Sequence, residues 1–425
     1  MPQRYFIVGI TAVAALLLYI DRVCISILAD PIQTDLALSP EQKENVLGAF
    51  FFTYALFQIP VGALADRFGP RLVLAGSIAA WSVVTALTGL AWSAGALFAV
   101  RLLLGISEAG AYPAAAALVK RWARPDERGR LSSVVALGGR IGGAFAPTLT
   151  TTIGKALAGV GVAAAAAGES APELNWRGVF IVYGLCGMAI AAIFWLAVRD
   201  NPASAAGEVQ VPPAPPRTKF LPQLLALAGF RQMWFFGTLQ FCNNISWAFL
   251  VTLLPTYLKD ANVEISLRGN IQTGVLLTGC AGMILGGLLT DAVRRRLGPR
   301  WGRSLPIACT MTLCACMCAV VSSAPGLWVA VAALAVMAFG QDLGIPSVWA
   351  FAQDVGGRKV GVTLGFGNML GNFGAALSPR LLGEVSRAGG WEAAFGLCAG
   401  CYLVAVCCGL MLDARHPLDA ELPGG

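Results

Sequence analysis

Apolar runs long enough to cross the hydrocarbon of a bilayer recur along the whole chain, separated by short polar or glycine- and proline-bearing stretches. Twelve are read, at about 4–30, 42–65, 71–91, 94–121, 129–154, 177–198, 229–257, 268–292, 303–322, 326–353, 360–386 and 391–412. The first run holds Asp21-Arg22 and lacks a small-residue cleavage site, so it reads as a membrane helix rather than a removable leader. Between the sixth and seventh runs the pattern breaks at Asp200-Asn201-Pro202 and again at Pro212-Pro213-Ala214-Pro215-Pro216. That stretch predicts a polar linker over 200–228, between a six-helix bundle at 1–199 and a second bundle with a short tail at 229–425. The expectation is an all-α membrane protein with twelve transmembrane helices in two pseudo-symmetric halves.

Composition excludes an ordinary soluble domain: 57% of residues are hydrophobic, 12% are charged, and mean hydropathy is +0.69. Charge then sets orientation. With both termini in the cytosol, twenty of the 30 Lys and Arg fall in cytosolic loops or tails and seven on the far side. The remaining three, Arg22, Arg101 and Arg140, lie at membrane depth. The net charge of +7 is therefore mostly topology and headgroup attraction. No basic face carries aromatic platforms outside the bilayer, so nucleic acid is not an expected partner. The twelve cysteines lie in apolar helices with no histidine beside them, which predicts small packing residues rather than metal ligands.

Charges at membrane depth are costly and mark a substrate or ion path by default. Arg101 and Glu108 are almost two helical turns apart, so they share one face and can look into one cavity. Arg22 offers a planar fork suited to a carboxylate, with a structural salt bridge to Asp21 or Glu108 as the alternative. Arg101 can also snorkel to the headgroups. Glu108, with Gly105 and Gly110 leaving room around it, is a candidate proton carrier. Arg140 lies in a glycine-rich segment and can read a second acidic group, or serve as counter-ion to Asp342 or Glu108. In the second half, Gln240, Asn243, Asn244, Trp247, Ser347, Trp349, Asn368 and Asn372 form a neutral polar set suited to hydroxyl-rich ligands.

The halves echo each other. Gly62-Ala-Leu-Ala-Asp66 matches Gly287-Leu-Leu-Thr-Asp291, and the segment from Gly139-Arg140 to Pro147 overlays that from Gly371-Asn372 to Pro379. Asp66 and Arg67 can make charge-assisted contacts that hold the cytosolic side shut, with Asp291 as the counterpart in the second half. The spacing Gly62-x-x-x-Asp66-Arg67-x-Gly69-x-Arg71 resembles the cytosolic loop motif of the major facilitator superfamily, with Pro70 where a basic residue is more usual. Tyr19-x-Asp21-Arg22, the run from Arg101 through Glu108 to Pro113, and the stretch from Trp349 to Asn372 resemble the anion:cation symporter family. That resemblance implies that Arg22 and Arg101 handle the substrate carboxylate, that Asp21 and Glu108 bind the coupling protons, and that Tyr19 and Tyr54 line the pocket. Arg140 departs from it, since a neutral amide is expected there.

These readings predict a symporter of the bacterial inner membrane that imports an organic anion with protons by alternating access. A sugar acid (aldonate, hexuronate or aldarate) is the expected substrate. The alternatives are an aromatic or other carboxylate or dicarboxylate, and an organophosphate exchanger. Protons are the coupling ion, no cofactor or metal is expected, and the lipid bilayer is the partner of a monomer. An enzyme would need a nucleophile–base set or metal ligands, and the lone histidine, His416, is in the tail.

Overall fold

A computed structural model describes residues 3–164, 174–200, 227, 229–323 and 326–418. Most of the expected 200–228 linker lies outside these residues. The first half contains α1 (Gln3–Ile27), the short α2 (Ala29–Asp35), α3 (Pro40–Phe68), α4 (Pro70–Thr88), α5 (Ala94–Glu108), α6 (Ala111–Trp122), α7 (Arg128–Ala164) and α8 (Trp176–Ala197). The second contains α9 (Arg231–Ala248), a π-helical turn (Phe249–Leu253), α10 (Leu254–Asp260), α11 (Ile265–Ser322), α12 (Leu327–Val355) and α13 (Val360–Met411).

Two of these helices are too long to be single spans. At 1.5 Å per residue the 58 residues of α11 and the 52 of α13 would reach about 87 and 78 Å, against about 30 Å of hydrocarbon. Each reverses at glycine: Gly298 adopts φ 74° in α11, and Gly390 adopts φ 76° in α13. Left-handed backbone is open to glycine at little steric cost, which is why the turns sit there. Among the described residues, eight helices are long and apolar enough to cross a membrane, counting α5–α6 as one and each kinked helix as one. Splitting α11 and α13 gives ten segments. The other two expected spans are also helical: α7, diluted by Arg140, Lys155 and a run of threonines, and the α9–π–α10 unit. The protein is therefore an all-helical, multi-pass membrane protein.

Small residues let the helices approach at backbone distance, which stands in for the hydrophobic effect inside a bilayer. Gly138 and Gly142 of α7 lie against the Ala12 and Leu16 carbonyls of α1. In the second half Gly374 of α13 lies against the Phe241 carbonyl of α9. The same pairing of fifth with first span thus recurs as eleventh with seventh. Gly105 against the Phe50 carbonyl, and Gly282 and Gly286 against those of Phe339 and Leu343, repeat the correspondence for fourth with second and eighth with tenth.

Candidate functional site

Near the end of α1, Asp21 and Arg22 are neighbours in sequence but project about 100° apart around the helix, so they meet different surroundings. The Arg22 guanidinium donates through Nε (3.3 Å) and Nη2 (2.9 Å) to one oxygen of Glu108, the last residue of α5. Three rings surround it, with its central carbon 4.3 Å from the Tyr54 ring, 4.9 Å from Phe50 and 5.3 Å from Tyr19. The second Glu108 oxygen is buried with no hydrogen-bond partner.

Behind this pair sit Asp21, 0% exposed, and Arg101, 1% exposed. Both Asp21 oxygens lack a well-formed hydrogen bond, although the Trp81 indole lies alongside. Arg101 does not reach the headgroups: it turns inward, its central carbon 5.1 Å from the Phe50 ring and its Nε and Nη1 buried without partners. Both guanidinium groups thus lie against the one Phe50 ring, a role that no pattern around it in the sequence announces. Two cations and two carboxyls, three of the four fully buried or nearly so, occupy one site.

A second charged pair bridges the halves. Arg140 of α7 donates through Nη2 to Asp342 of α12 at 2.5 Å, and its central carbon is 5.5 Å from the Trp247 ring on α9. Of the two counter-ions weighed for Arg140, the structure selects Asp342. Aromatic side chains join the two pairs: Tyr19 meets Tyr112 edge-on at 6.4 Å, and Tyr112 meets Trp349 at 5.2 Å. Gly139, adjacent to Arg140, leaves just enough room for the Tyr19 ring and the Tyr112 hydroxyl.

The neutral polar set is more self-engaged than its composition suggests. Asn244 donates to the Gln240 carbonyl (2.8 Å) and Asn372 to that of Asn368 (2.7 Å), each one turn back. The Asn243 side chain accepts from Gln341 at 3.3 Å. Ser347 is fully buried with its hydroxyl 2.5 Å from that of Thr290, so it packs α12 on α11 rather than facing a cavity.

The end assigned to the cytosol by charge is closed by matched contacts. Asp66, at the end of α3, accepts from the Gly361 (2.7 Å) and Val362 (2.8 Å) amides that begin α13. Asp291 on α11 accepts from the Gly129 (2.9 Å) and Arg130 (3.0 Å) amides that begin α7. Each carboxylate meets unpaired N–H groups and the positive end of a helix dipole. Gly62 and Gly361 let α3 and α13 touch through backbone alone. Asp354, not singled out in the sequence, ties the same end together: Arg303 donates to it at 2.8 Å, Arg128 bonds it from the other half, and Arg294 lies at 3.9 Å. The other motif arginines do not bridge the halves. Arg67 is exposed over Phe68, and Arg71 bonds the Trp195 carbonyl at 2.6 Å and takes Asp200 on its backbone amide at 3.0 Å. Gly69, at φ 95°, makes the tight turn from α3 to α4. At the opposite end, Arg177 pairs with Asp35 (3.0 Å) and Trp391 with Asp260 (3.0 Å), each within its own half.

Comparison with known proteins places this geometry among transporters. A sequence profile described as Major Facilitator Superfamily matches residues 11–379. The chain is 29% identical to a probable sulfoacetate transporter of Cupriavidus necator, covering 99% of this chain and 96% of that one. It is 28% identical to a probable galactarate/D-glucarate transporter of Bacillus subtilis, over 91% of this chain and 86% of the other. A hexuronate transporter of Bacillus subtilis is 26% identical over 91% and 89%. Among solved structures, the Escherichia coli fucose:proton symporter superimposes with a TM-score of 0.72 at 15% identity, covering 97% of this chain and 99% of that one, a likeness of fold.

Proposed function

The chain belongs to the Major Facilitator Superfamily and is a transporter rather than an enzyme, and we propose that it carries a small organic anion into the cell together with protons, by alternating access. The observation that carries this reading is the Arg22–Glu108 pair, held in a ring of Tyr19, Phe50 and Tyr54 beside the unpartnered Asp21. A substrate carboxylate or sulfonate competes with Glu108 for the Arg22 fork. Once released in a site with no access to water, Glu108 has no counter-ion, and a buried carboxyl in that position is stable only with a proton bound. Anion binding and proton binding are thereby linked at one cation. Arg101 keeps the site net attractive to anions, and Asp21 is the second proton carrier.

The end assigned to the cytosol is closed by Asp66, Asp291 and Asp354, whereas the pairs named at the other end lie within one half, and this supports a carrier that opens first on the outer side. Both termini are assigned to the cytosolic side of the bacterial inner membrane. Sugar acids are the preferred substrate class, supported by the names of the galactarate/D-glucarate and hexuronate relatives. The test is uptake of labelled organic anions by proteoliposomes, with and without an inward proton gradient. Gradient-stimulated uptake of a carboxylate or sulfonate is expected. Uptake of phosphate esters in exchange for inorganic phosphate, indifferent to the gradient, would overturn the reading.

A further inference from the structure

The Arg140–Asp342 pair has no part in the linkage just described, yet it sits at the junction of the halves and on the same aromatic wall. Its two members are unequally open: the Arg140 side chain keeps 17% exposure and that of Asp342 6%. The arginine side chain is thus the more open member of the pair. Their contact uses Nη2 and one carboxylate oxygen, and a guanidinium carries five N–H donors, so the pair leaves donors for a further acceptor. Trp247 covers one face of the cation, which lowers the cost of holding it away from water and fixes its plane. Tyr19 touches both positions: its ring lies 5.3 Å from the Arg22 central carbon and packs against Gly139, the neighbour of Arg140. One tyrosine thus touches the Arg22 cation and the segment that carries Arg140, and each guanidinium is held by a single carboxyl that a ligand can replace.

We propose that Arg140 is the receptor for a second anionic group, so that the site selects compact dianions, dicarboxylates or sulfocarboxylates, over monoanions of the same length. This rests on the reading of the chain as an organic-anion carrier with its first anion site at Arg22. Asp342 is the stand-in for the second head: it neutralises Arg140 in the empty site and yields it to the ligand. Because Arg140 belongs to the first half and Asp342 to the second, exchanging one for the other also loosens a tie between the halves when, and only when, the second head is present.

The test uses the full-length protein in proteoliposomes and two matched probe pairs, glucarate against gluconate and sulfoacetate against acetate. Wild type is expected to favour the dianion of at least one pair. Arg140→Gln should lower dianion uptake by about tenfold more than monoanion uptake, because only the dianion loses a buried charge pair. Removing one partner of a buried pair can impair folding, so the double variant Arg140→Gln/Asp342→Asn, which leaves no unpaired charge, is measured beside it and should show the same loss of preference. Asp342→Asn alone keeps the receptor and should keep the preference. A dianion-to-monoanion ratio that is unchanged in both Arg140 variants, or a wild type that transports all probes without preference, overturns the second-head site and leaves the carrier reading intact. If wild type takes up none of the four, the carrier reading fails and takes this proposal with it.

Discussion

Replacing Arg22 by lysine keeps the charge and removes the fork. The structure lets the loss be sized. Arg22 gives two N–H groups to one Glu108 oxygen and lies within 4.3 to 5.3 Å of three ring centres. A substrate carboxylate that takes over from Glu108 inherits this geometry. Hydrogen bonds to charged groups contribute about 1.5–3 kcal/mol, and planar stacking on aromatic faces adds about 0.5–1 kcal/mol at each well-placed ring. An ammonium retains one strong hydrogen bond and part of the ring attraction, but it is more strongly hydrated and cannot stack. The net loss in affinity is therefore about 1–3 kcal/mol, a rise in Kd of roughly five- to 150-fold. The assay is equilibrium binding of labelled substrate to detergent-purified protein by scintillation proximity, at one fixed pH. Gel-filtration profile and thermal stability serve as folding controls. A Kd within about twofold of wild type, under about 0.4 kcal/mol, would refute the reasoning and make Arg22 a structural tie between α1 and α5.

Other consequences follow from the closed end and from the second half. Asp66→Asn weakens two charge-assisted bonds to the first turn of α13, so deuterium exchange at the Gly361 and Val362 amides should speed up by at least about tenfold. Unchanged exchange there would remove Asp66 from the seal. Gly62→Leu drives a side chain into the Gly361 backbone and should abolish transport while expression in the membrane persists; wild-type turnover in that variant would mean that the backbone contact is dispensable. Ser347→Ala breaks a hydroxyl pair with Thr290, so it should cost about 0.5–1.5 kcal/mol of stability and leave substrate Kd within about twofold. A large loss of affinity would put Ser347 back in the pocket.

The fold was legible because a bilayer imposes a length on every span and a cost on every charge. Twelve apolar runs, the echo of Gly62–Asp66 in Gly287–Asp291, and the isolated charges all reflect those constraints directly. The two glycine reversals at Gly298 and Gly390 were consistent with the spacing of the runs. Side-chain pairing was less legible, because it depends on the rotation and depth of helices far apart in sequence. Arg22 and Glu108 are 86 positions apart, and Arg140 and Asp342 are 202 apart. Sequence narrowed the partners of Arg140 to two and could not choose between them. Phe50 carried no signal of its own in the sequence, yet two guanidinium groups lie against its ring. Ser347 was expected among the pocket residues, yet its hydroxyl pairs with Thr290. About half a turn of helix rotation would reverse that placement, and only the packed structure fixes that angle.

The central claim is that one proton-carrying carboxyl, Glu108, shares a cation with the transported anion. The most direct measurement is proton entry driven by the anion: proteoliposomes loaded with a pH-sensitive dye, no imposed pH gradient, and a transported organic anion added outside. Wild type should acidify the lumen as the anion enters. Glu108→Gln, whose amide imitates the protonated carboxyl, should still exchange labelled for unlabelled anion across the membrane but produce no acidification. Anion entry into wild-type vesicles without a change of luminal pH, or full acidification in Glu108→Gln, would contradict the account.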